Sequence, residues 1–131
     1  MIRCIRLWSG KDDQSHFEEG WIALAPGSHG SDLLSSKMPV TSVSFQTTAS
    51  GGTLDWHTAP VRQFVVTLSG TLDFQTRANK HFILEPGIVL LAEDTVGGGH
   101  SWKLIDGDPW RRLYVVLAPD VEVPFTAGEL P

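Results

Sequence analysis

The sequence predicts an all-β domain, and three observations carry that prediction. Apolar and β-branched stretches recur at intervals of roughly 8–12 residues, the mark of a sandwich or barrel. Gly, Pro, Asp and Asn separate them. No window of helical length carries an apolar stripe at a period of 3.6. With 131 residues, 41% of them hydrophobic and 19% charged, the chain reads as one ordinary globular domain over residues 1–131, without a linker or an internal repeat.

In chain order, strands are expected at residues 2–8 and 21–25. Residues 31–37, opened by Ser31-Asp32, are the best helical fragment, about one turn long. Strands follow at 41–48, 61–68 and 71–76, the last two joined by Ser69-Gly70, which predicts a tight hairpin. Ala78-Asn79-Lys80 predicts a second hairpin before a strand at 81–84, and Pro86-Gly87 a corner before 88–92. Gly97-Gly98-Gly99 reads as a pliant loop before His100. Strands at 102–105 and 112–117 flank Asp106-Gly107-Asp108-Pro109, expected to close a further hairpin. After Pro119, apolar Val121, Val123 and Phe125 alternate with Glu122, Pro124 and Thr126, as in a short edge strand before a frayed end.

The 61–68 strand is informative about packing. One face carries Val61, Gln63, Val65 and Thr67; the other carries Arg62, Phe64, Val66 and Leu68, and is the more apolar. Two covered faces imply a barrel interior on one side and a cover on the other. A second copy of the chain would supply that cover, so a homodimer is expected, the alternative being the chain's own loops or N-terminal strand.

Charge narrows the function classes. The net charge is −5, and the ten Lys and Arg are scattered except for Arg111-Arg112, so the cation cluster of a nucleic-acid surface is missing. The apolar runs at 64–68 and 88–92 fall far short of the ~20 residues that span a bilayer. No apolar signal region follows the first residues. The single cysteine, Cys4, cannot form an internal disulfide and reads as a buried small hydrophobe. A cytoplasmic protein with neither a nucleic-acid nor a membrane partner is expected.

The candidate site lies between Gly51 and Gly70. Five residues separate Gly51 from His57; Thr58 and Ala59 follow, then three residues, Gln63, six residues and Gly70. This resembles the first signature of the cupin superfamily, a Gly, five residues, His-x-His, three or four residues, Glu, six residues and a Gly. Ala59 stands for the second His and Gln63 for the Glu. The second signature, a Gly, five residues, Pro-x-Gly, two residues and a His, is matched more loosely. Gly87 is followed by residues 88–92, then Glu93-Asp94-Thr95, and the His arrives two residues late as His100. The signatures cover about half of the chain, and the strand pattern extends the likeness to most of it.

The resemblance implies a double-stranded β-helix, a jelly-roll barrel, with its core at about 38–118. Residues two apart on a strand face the same way, so His57, Ala59 and Gln63 point into the barrel. In cupins with full signatures three imidazoles and a carboxylate hold divalent iron, manganese, nickel, zinc or copper. By resemblance, His57, Gln63 and His100 occupy three of those four metal positions; alternatively the imidazoles only hydrogen-bond in a polar barrel mouth. Asp55 and Asp94 are near enough in sequence to complete the set.

Five Trp in the chain suit an aromatic-walled small-molecule pocket. Trp102, which shares parity with His100, is the better pocket candidate, with Phe45 and Tyr114 beside it; Trp56 should face away. Arg62 lies by parity on the outer face, for a salt bridge or a dimer contact, unless a bulge near Pro60 turns its guanidinium toward a carboxylate substrate. Asp94 can act as general base, orient an imidazole, or stand in a solvated turn. The expected function is therefore a small-molecule pocket with His57, Gln63, Asp94 and His100 as catalytic candidates, for oxygenation, isomerisation or lyase chemistry. The alternatives are capture of a small ligand without turnover, and a dimerisation or regulatory module.

Overall fold

The computed structural model describes residues 1–129, and the last two residues of the expected tail lie outside it. The described chain is all β, without a helix. Seven strands form one mixed sheet. In spatial order they are β13 (Phe125–Ala127), β2 (Ser15–Ile22), β1 (Ile2–Ser9), β10 (Ile88–Glu93), β7 (Gln63–Ser69), β12 (Trp110–Leu117) and β5 (Val40–Thr48). Four more form a second sheet in the order β6 (Thr53–His57), β11 (His100–Leu104), β8 (Leu72–Thr76) and β9 (His81–Leu84). Within these sheets only β1 and β10 run parallel. Among the described residues no helix is long and apolar enough to cross a membrane.

The principal core joins the two sheets. Ile5, Val65, Leu90 and Trp110 of the larger sheet meet Leu72, Phe74, Leu84 and Trp102 of the smaller one. These residues alternate along their strands with outward side chains, so burial follows the two-residue period of the pleat. A second cluster lies on the outer side of the larger sheet. Cys4, Phe64, Leu91 and Leu117 are covered there by Leu24, Met38, Val121, Val123 and Phe125. The outer face of β1, β7 and β10 is thus closed by the chain's own connections and tail, the alternative to a partner copy. Burial pushes the Cys4 thiol up to about 12, which leaves it unreactive.

Four expectations need correction. Residues 31–37 are not helical: β4 (Leu33–Leu34) pairs with β3 (Ala25–Pro26) in a two-residue ribbon closed by Gly27 N–H donating to the Asp32 carbonyl at 2.8 Å. One turn of helix without an apolar face to bury does not meet its nucleation cost. Ser69-Gly70 makes no hairpin, because β7 and β8 belong to different sheets; Gly70, at φ +97°, turns a corner between them. Residues 106–109 likewise lead from β11 in one sheet to β12 in the other. Turn residues set a local reversal, and the partner strand is decided elsewhere.

The fourth correction concerns the glycine loop, which is packed rather than pliant. Gly97 and Gly99 adopt φ of +89° and +74°, and a Cβ at Gly99 would lie 2.2 Å from the His57 carbonyl oxygen. Only glycine permits that approach and that backbone together. Two stretches of strand had escaped notice: β6, and residues 15–20 of β2, where cross-strand ion pairs such as Arg6–Glu18 at 3.4 Å replace apolar alternation. The hairpin expected at Ala78-Asn79-Lys80 is present, with β8 and β9 paired across it.

Candidate functional site

A cavity of about 540 Å³ opens between the sheets. Its walls are mostly apolar, from Leu54, Val65, Phe74, Leu90, Trp102 and Trp110, with polar groups from His57, Gln63, His100, Arg112 and the β5 row Ser44, Gln46 and Thr48. Such a balance of apolar wall and few polar groups characterises small-molecule sites.

His100 opens β11 opposite His57 at the end of β6, and their rings stand edge to face with centroids 4.4 Å apart. The His57 Nδ1 donates to the Asp55 carbonyl at 2.7 Å. The His100 Nδ1 donates to Asp94 Oδ2 at 2.6 Å. Each contact places the ring proton on Nδ1 and leaves Nε2 free to accept. Burial holds the His57 imidazole below the usual histidine range, outweighing its hydrogen bond to the Asp55 carbonyl, and the neighbouring His100 adds to the depression.

Asp94 is fully buried and stands behind His100 rather than in the cavity wall. Its Oδ2 also accepts from the Ser15 hydroxyl at 2.6 Å, and its backbone carbonyl accepts from Ala59 N–H at 3.0 Å. The carboxylate therefore fixes the His100 tautomer and can stabilise its imidazolium. Asp94 holds the His100 ring and does not itself line the cavity.

His57, Gln63, His100, Trp102 and Tyr114 all line the cavity. Phe45 does not: Ser44 and Gln46 face inward, so Phe45 points out and is 75% exposed. Arg62 also stays outside, its Nε donating to Glu93 and its Nη1 to the Val121 carbonyl. Asp55 is turned away by a bulge in β6, where the register passes from His100↔His57 to Trp102↔Leu54. That extra residue puts Leu54 and His57 on the cavity side and leaves the Asp55 carboxylate accepting from Trp56 N–H. Trp56 faces outward, as parity requires, beneath the Arg77 guanidinium at 4.1 Å.

The metal set implied by resemblance falls short. A catalytic zinc has three protein ligands and a structural one four. Here two imidazoles share the cavity with one neutral amide, and among the described residues no three His, Cys, Asp or Glu side chains stand together as a metal site.

Arg112, Ser15 and the β5 row were missed in the sequence. Arg112 was legible in principle, because it shares parity with Tyr114 on β12. Ser15 was not, since it meets Asp94 across 79 residues of chain. The fold and site together define an all-β protein with an internal, apolar-walled cavity served by a buried Asp–His pair. No protein-family model matches the chain, and no curated protein matches it either.

Proposed function

We propose that this is a cupin-type barrel acting on a small organic molecule by acid–base chemistry of the isomerase or lyase type, with His100 as the catalytic base. The observation that carries the reading is the buried 2.6 Å contact between His100 Nδ1 and Asp94, which leaves Nε2 to take a proton. His100 Nε2 removes a proton from a substrate carbon, Asp94 stabilises the imidazolium, and the proton returns at another atom or leaves with the departing group. His57, kept neutral by burial, offers a second acceptor, and the Gln63 amide orients the substrate. Support for the cupin type comes from the spacing of residues 51–70, and from consecutive strands crossing between the two sheets at β5–β6, β6–β7, β7–β8, β9–β10, β10–β11 and β11–β12.

Exchange of carbon-bound protons with deuterium oxide, followed by NMR across small carboxylic acids and ketones, tests this directly. Exchange catalysed by the wild type and lost in His100→Gln is expected. No exchange with any compound discards the proton-transfer step in favour of simple ligand capture. Stoichiometric iron, manganese, nickel, zinc or copper in the purified protein, absent from His57→Ala, replaces His100 acid–base chemistry with a metal-dependent reading.

The proposal includes a homodimer. Its support is that β5 is an edge strand, with Val43 and Phe45 exposed on its outer face, and Leu68 of β7, two strands further in, exposed as well. Light scattering should show a dimer that Phe45→Glu dissociates; a monomeric wild type discards it.

A further inference from the structure

Arg112 is buried to 2% exposure in the cavity wall, and its guanidinium is charged at any working pH. Its hydrogen bonds go to neutral oxygens alone: Nη1 donates to Thr48 Oγ1 at 2.8 Å and to the Trp110 carbonyl at 3.0 Å, and Nε to the Tyr114 hydroxyl at 3.2 Å. The guanidinium lies over the Trp110 ring, 3.7 Å from its centroid. Among the described residues Nη2 has no hydrogen-bond partner, and none of the ion pairs includes Arg112.

The distribution of carboxylates is the reverse of what stability alone would select. Arg3, Arg6 and Arg62, all partly exposed, have Glu19, Glu18 and Glu93 as partners. The buried guanidinium has none. A buried charge without a counter-charge is strongly unfavourable, whereas a solvated one is not. A cation held by neutral hydrogen bonds and an aromatic face, with a free N–H edge in a cavity, is prepared for an anion that arrives from outside.

We propose that the cavity binds a small monocarboxylate, its carboxylate on Arg112 and its apolar body against Trp102 and Trp110. The charge is set by the walls: Arg112 is the one permanently charged side chain among the described lining residues, and no second Lys or Arg is there to balance a dianion. The second carboxylate oxygen has Ser44, Gln46 and Thr48 of the neighbouring strand as donors. The proposal rests on the cavity being the functional site, as above, and names the class of its ligand.

Thermal unfolding and Trp fluorescence of the full chain test it, with benzoate, phenylacetate and hexanoate as probes, each beside its primary amide. Stabilisation by carboxylates is expected, with affinities roughly tenfold to a hundredfold above those of the amides, as for a charge-assisted hydrogen bond. Arg112→Met should erase that preference, and Arg112→Lys should keep part of it and serve if the Met variant does not fold. Equal binding of acids and amides, an unchanged preference in a folded Arg112 variant, no response to any carboxylate, or tighter binding of phenyl phosphate than of benzoate each overturns the proposal. His100→Gln should retain the preference for carboxylates. A wild type that prefers carboxylates but catalyses no proton exchange therefore sinks the proton-transfer reading alone, and a wild type that catalyses exchange without that preference sinks this one.

Discussion

Glu93 and Asp94 are adjacent carboxylates at the end of β10, and they serve opposite sides of the same sheet. Glu93 points outward between Arg6 and Arg62, with Arg6 Nε donating at 2.6 Å. Asp94 points inward, fully buried, and accepts from Ser15 and His100. On the outer side carboxylates and guanidiniums are matched, so the polar layer closes on itself and ties β1, β10 and the approach to β7 together. On the inner side Asp94 accepts from Ser15 and His100 through Oδ2 alone, and the guanidinium of Arg112 keeps no counter-charge. Matched charges mark a structural layer; an unmatched one beside a cavity marks a place for something else.

Substitutions break or sharpen this contrast. The largest expected effect is that of Asp94→Ala, which strands the His100 N–H and the Ser15 hydroxyl in the interior; urea unfolding should show a loss of about 3 kcal/mol. Next comes Gly99→Ala, where a left-handed backbone and the 2.2 Å approach to the His57 carbonyl oxygen are both violated. A loss of about 2–3 kcal/mol is expected, together with a displaced His57 imidazole signal in NMR. On the outer side, Glu93→Gln should cost about 1–2 kcal/mol and leave ligand binding in the cavity unchanged. Equal damage to ligand binding from Glu93→Gln and Asp94→Asn would show that the two layers are not separate. Arg62→Gln should change stability by less than about 1 kcal/mol, since its side chain is 31% exposed and Glu93 keeps Arg6.

The pH dependence belongs to the inner side and is the smallest effect. The native His57 binds its proton less readily than the unfolded one, so the unfolded state holds more protons between the two pKa values. Stability should therefore rise with pH up to about 6.5, where the unfolded imidazole is neutral, and this contribution should then level off. Acid titration of unfolding with His57→Asn as control should remove that rise; a rise unchanged in the variant would assign it to another group.

Much of the strand inventory was legible because burial in a sheet obeys a local period. The rows His57–Ala59–Gln63 and His100–Trp102 come from alternation and motif spacing, and the structure lines the cavity with both. Phe45 was misjudged because an aromatic residue on an edge strand has no period that distinguishes inside from outside; only the neighbours Ser44 and Gln46 show which side is which. Whether Asp55 reaches the site was not legible for a different reason. Strict alternation would have aimed it with His57, and the bulge that turns it out is a property of the pairing with β11, invisible along β6.

The sequence by itself determined the all-β class, the acidic charge that leaves no cation cluster, and the facing rows of the candidate site. Each of these is set by composition or by the two-residue pleat, which act within a few residues. The tertiary structure alone decided which sheet each strand joins, that Asp94 rather than Glu93 reaches His100, and that Arg112 is buried without a carboxylate. Those facts depend on which groups meet across distant stretches of chain, as Ser15 meets Asp94 and Thr48 meets Arg112, and electrostatic pairing is a matter of distance in space.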